Sequence, residues 1–68
     1  MNTLLKVLAK TPYMDYVEII DRLGDPPLLI IKQLNSMMSK GNVAVVDIDR
    51  RLKYYLTPNG RKFMETLN

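Results

Sequence analysis

The 68-residue sequence predicts a small α+β domain: three helices, a β-hairpin and a C-terminal helix, as one domain over residues 1–68. Three observations carry this prediction. Apolar residues recur at spacings of three and four in the segments 4–8, 16–23 and 27–38, the repeat of helices that bury one face. A β-branched run at 43–48 is followed by an alternating return at 52–56, the period-two mark of a hairpin. Proline and glycine stand where those stretches should start and stop.

In chain order, Asn2 or Thr3 can cap a first helix that contains Leu4, Leu5 and Leu8 and ends near Lys10. Thr11-Pro12 breaks it, because the residue before a proline is pushed out of the α region. Tyr13 and Met14 read as an extended link. Asp15 followed by Glu18 is a capping-box pattern, opening a short second helix with Tyr16, Val17, Ile19, Ile20 and Leu23 as its apolar residues. Gly24 then falls where a left-handed residue ends a helix.

The third helix, over 27–40, is the centre of the chain. Pro26 precedes a proline and is expected to be extended, so Pro27 is the first helical residue. Positions 27, 30, 34, 37 and 38 share the inner face, with Met37 and Met38 as gap-fillers of the core. The opposite face carries Leu28, Leu29, Lys32, Asn35, Ser36 and Ser39. Gly41 stops the helix and Asn42 turns the chain. Asp49, Arg50 and Arg51 form the hairpin tip, which lacks the Asn-Gly pair that would fix its turn type. On the return strand Leu52, Tyr54 and Leu56 share a face. Thr57-Pro58 opens a last helix through Phe63, Met64 and Leu67, with Gly60 as a weak spot.

Composition narrows the chemistry. With no Cys and no His, a disulfide is impossible and a zinc site is close to excluded. The carboxylates at 15, 18, 47 and 49 have capping or surface-pair explanations, and no glycine-rich phosphate loop is present. The expectation is no enzyme, no catalytic or metal-ligating residue, and no cofactor. No run approaches the roughly 18 apolar residues that span a bilayer, so the protein is expected to be cytoplasmic. The formal charge is +3: residues 1–24 are neutral, and the excess lies after Gly24. A basic second half is the footprint of a nucleic-acid-facing side.

Two segments carry a resemblance. The run Ile19-Ile20-Asp21-Arg22-Leu23-Gly24 and the run Tyr54-Tyr55-Leu56-Thr57-Pro58-Asn59-Gly60-Arg61 are similar to segments of winged helix-turn-helix DNA-binding domains, as found in small bacterial and phage-type transcriptional regulators. Ile30, Leu34, Met37 and Gly41 fit the spacing between them. The chain departs from that pattern at Ile20, where a small residue is usual, and at Leu28 and Leu29, where polar residues are usual.

The resemblance implies sequence-selective binding of double-stranded DNA and a role in transcription regulation, in a phage or viral setting that the small size suggests. Helix 27–40 would enter the major groove. There Lys32 would reach guanine or phosphate, Gln33 or Asn35 adenine edges, and Leu28 or Leu29 thymine methyls, with Ser36 on the same surface. The tip would lie on the backbone or minor groove through Arg50, Arg51 and Lys53. A homodimer is expected, through Leu4, Leu8, Phe63, Met64 and Leu67. The rival from another class is a protein-interaction module that uses the Leu28/Leu29 face. A single-strand stacking role for the tyrosines is disfavoured, since only Tyr13 and Tyr55 are expected to be exposed.

Overall fold

The computed structural model describes residues 3–66. They form helix α1 (Thr3–Lys10), strand β1 (Met14–Asp15), helices α2 (Tyr16–Leu23) and α3 (Pro27–Ser39), strands β2 (Val43–Ile48) and β3 (Arg51–Leu56), and helix α4 (Pro58–Thr66). The α+β class is as expected: four helices and one three-stranded antiparallel sheet of order β1-β3-β2.

The helix boundaries follow the local chemistry. Asp15 and Glu18 form the full capping box: the Glu18 N–H donates to Asp15 Oδ1 at 2.8 Å, and the Asp15 N–H donates to Glu18 Oε1 at 3.1 Å. Gly24, at φ 71°, sends its N–H to the Ile20 carbonyl and closes α2. Pro26 is extended at φ −56° and ψ 137°, and Pro27 is the first helical residue of α3. That position leaves Pro27 exposed, so the inner face of α3 is Ile30, Leu34, Met37 and Met38, without residue 27. The Tyr16 hydroxyl donates to the Pro27 carbonyl at 3.0 Å and ties α2 to the start of α3. At the far end of α3, the Gly41 N–H reaches the Met38 carbonyl and the Asn42 N–H reaches that of Met37. This paired closure is a Schellman motif, with Gly41 at φ 80°.

The core is centred on α1. Leu4, Leu5 and Leu8 are fully buried, against Met14, Ile19, Ile30, Leu34, Val43 and Leu56. Burying each such side chain contributes about 1.5–3 kcal/mol before the entropy of ordering it. α4 adds one buried position, Gly60. The last helix is capped by Thr57, whose hydroxyl accepts the Gly60 N–H at 3.0 Å and donates to the Gly41 carbonyl at 2.6 Å.

The sheet departs from expectation in two places. The expected link ends in the sheet: Met14 pairs with Tyr54 and Asp15 with Lys53, after Tyr13 has turned the chain at φ 64°. The hairpin tip is shorter than the expected 49–51, because Arg51 already pairs with Ile48. Asp49 and Arg50 are the whole loop, both left-handed, at φ 52° and 65°. Positive φ at both loop residues is the mark of a type I′ turn, whose twist matches that of the strands. Leu52, Tyr54 and Leu56 do share a face. Of these only Leu56 is buried, because the outer half of the hairpin projects past the core.

Candidate functional site

The residues with candidate roles lie on α3 and on the outer half of the hairpin. On α3, Leu28, Leu29, Lys32, Asn35 and Ser36 are exposed, opposite Ile30 and Leu34. Leu28 is 74% exposed, more than any other large apolar residue described. Gln33 is half-buried on the flank of that face, lining both a cleft with Thr3, Leu4, Leu23 and Asp25 and the cleft of Lys32 and Ser36. Lys32, Ser36 and Lys40 follow one another at a spacing of four along a second cleft that faces Leu5 and Phe63. Lys40 was missed in the sequence because it lies beside the helix stop. Its i+8 spacing from Lys32 is the signal that finds it.

The three cations of the hairpin have different surroundings. Arg50 stands exposed at the tip. Arg51 places Nη1 3.2 Å from Asp15 Oδ2, while its side chain stays 72% exposed. Lys53 is more firmly held: its Nζ lies 3.1 Å from Glu18 Oε1 and 3.7 Å from Asp15 Oδ2, and its side chain is only 21% exposed. Among the described residues these cations form no ion pair with Asp47 or Asp49, the acids nearest them in sequence. The acids actually engaged are Asp15 and Glu18, at the amino terminus of α2.

Asp15 is thus a hub. Its carboxyl is held below the usual carboxylate range, chiefly by the bond from the Glu18 N–H. Desolvation works against that shift, and the charges of Lys53 and Arg51 reinforce it.

Between the hairpin and the helices runs an open groove of about 640 Å³, lined by Asp15, Tyr16, Val17, Ile31, Arg51, Leu52 and Tyr54. Val17, Ile31 and Leu52 are exposed there. Leu28 is three residues before Ile31, so the two are neighbours on the surface of α3. Ile31 escaped the sequence reading because it sits on the flank between the inner and outer faces of its helix. On the opposite face of the sheet Tyr13 leans on Tyr55, with ring centroids 5.4 Å apart and planes tilted by 38°. The exposed Tyr13 is therefore packed against its own sheet.

The residues expected to join two copies are mostly committed elsewhere. Leu4 and Leu8 are buried in the core and offer no surface. Met64 packs against the core and Phe63 is exposed. Leu67 lies outside the described residues. No helix described is long and apolar enough to cross a membrane.

No protein-family model matches the chain, and no curated protein matches it in sequence.

Proposed function

We propose that this chain is a winged helix-turn-helix protein that binds double-stranded DNA and acts as a small transcriptional regulator. In this reading α3 enters the major groove and the hairpin is the wing. The order helix, strand, helix, helix, hairpin, helix supports it, as does the central place of β3 in the sheet. The groove lined by both Ile31 and Leu52 supports it as well, since α3 and the hairpin flank one open side.

The observation that carries the proposal is Arg50. It holds a left-handed backbone at φ 65°, at a loop position where glycine or asparagine is less strained. A bulky cation kept in that conformation at an exposed tip is the kind of local strain that accompanies function. Lys32 of α3 and Lys40 at its C-terminal cap add exposed charge, and Asn35 and Ser36 add groups that pair with base edges.

A titration of mixed-sequence duplex at low salt tests this. Wild type should bind at micromolar concentration or below, and Arg50→Ala should weaken binding to all sequences. Absence of binding by the wild type removes the DNA role.

One observation favours the rival role, a module that docks a protein partner. The exposed apolar residues Val17, Leu28, Ile31 and Leu52 lie along or beside a single groove, a denser apolar surface than a duplex calls for. Duplex binding that survives Arg50→Ala but fails in Ile31→Asp would assign the groove to DNA as well. No duplex binding in any variant would leave the partner role standing. A homodimer is part of the proposal because two copies double the phosphate contacts, and light scattering on a sizing column tests it.

A further inference from the structure

We propose that Lys53, pinned by Asp15 and Glu18, is a positioning residue that sets the opening between the hairpin and α3, and makes no contact with nucleic acid itself. The inference rests on the DNA-binding reading above and refines it. Lys53 directly opposes Asp15 in the β1–β3 pairing, and its Nζ is shared between the two carboxylates. Both acids are fixed in turn by their own capping box, so the ammonium meets anchors that are already in place. Glu18 Oε1 accepts from the Asp15 N–H and from Lys53 Nζ at 3.1 Å each.

The pin joins the start of α2 to the middle of β3, 35 residues later in the chain. β1 covers β3 only at Lys53 and Tyr54, so no neighbouring strand on that side holds Arg51 and Leu52. Asp15 also lines the groove whose other wall includes Ile31 of α3. Loosening this cluster therefore lets the outer hairpin tilt and changes the distance between the two DNA-facing elements. A duplex has fixed groove spacing, so both elements engage together only at one opening.

The sign of a charge substitution tests the inference. Asp15→Asn and Glu18→Gln each remove a negative charge yet keep a capping side chain, since amides serve in both positions. If charge alone mattered, both would bind DNA more tightly than wild type. As members of the pin, both should bind several-fold more weakly.

Lys53→Met should weaken binding too, and should leave the slope of log affinity against log salt unchanged. A lost phosphate contact would instead lower that slope by about 0.9. Lys53→Arg should restore binding. Tighter binding by Asp15→Asn, or a shallower slope in Lys53→Met, overturns the inference. If wild type binds no duplex, the proposed function fails, and amide hydrogen exchange decides the pin separately. Faster exchange across the Met14–Tyr54 pair in Asp15→Asn, Glu18→Gln and Lys53→Met supports it, and unchanged exchange overturns it.

Discussion

A Cβ built on Gly60 would stand 2.0 Å from the Asn42 carbonyl oxygen and 2.8 Å from a methyl of Leu56. Neither neighbour is free to move, because the same carbonyl accepts the Thr57 N–H and Leu56 is in the core. Gly60→Ala should therefore destabilise the fold by about 3 kcal/mol, at the upper end of overpacking costs, as read by urea unfolding. Gly24 makes a contrast, with φ 71° and nothing within 4 Å of its Cβ position. Gly24→Ala should cost about 1 kcal/mol, the backbone strain alone. Asp15 adds a pH signature. Its folded pKa is depressed, so its contribution is fully present above the unfolded value near 3.9 and is lost as pH falls through the folded one. Asp15→Asn should be less stable than wild type at about pH 7, and the difference should shrink as pH falls below the unfolded value. Denaturant titrations at neutral pH and over a descending pH series check this.

At the scale of elements, the hairpin of the proposed DNA-binding protein would set stability against binding. Asp49→Asn with Arg50→Gly suits two left-handed positions and should stabilise the fold by about 1 kcal/mol while weakening DNA binding. A variant that gains stability and keeps full affinity would remove the tip from the mechanism. Helix ends were legible in the sequence because their causes are local: the Asp15/Glu18 box, Gly24, the proline pair and Gly41 act within a few residues. The strand at Met14 was not legible, since it depends on a partner 40 positions away. Nor were the ion pairs of Arg51 and Lys53, which reach back to 15 and 18 past much nearer acids at 47 and 49. Gly60 reads as a helix weakness by propensity, and only the approach of Asn42 shows why glycine is there. The two-residue tip was missed because Asp-Arg carries no sequence mark of a type I′ turn.

For the whole molecule, the distribution of charge limits how strongly one copy can grip a polyanion. With Lys53 pinned and Arg51 shared with Asp15, the exposed cations on the proposed DNA side that no acid engages among the described residues are Lys32, Lys40 and Arg50. Three phosphate contacts correspond to a slope of log affinity against log salt of about −2.7 per copy. A measured slope near −5 would report two copies on one site, and anisotropy titrations over a salt series provide it. The apolar core is small for a chain lacking covalent cross-links, so its centre should be intolerant of truncation. Leu34→Ala should cost about 2–5 kcal/mol by thermal unfolding, and Ile30→Ala a similar amount.

The joint at Thr57 has a consequence for how this chain can lengthen or shorten over generations. The Thr57 hydroxyl meets the Gly41 carbonyl 16 residues earlier, and the whole hairpin hangs between those two points. With a two-residue tip and paired arms, an insertion in one arm that is not matched in the other must bulge out or lengthen the tip, or the joint parts. Length changes in descendants of this sequence should thus be paired across the arms or taken up at the tip or in a bulge. Their tips and α3 surfaces can drift while Gly41, Thr57 and Gly60 stay in place.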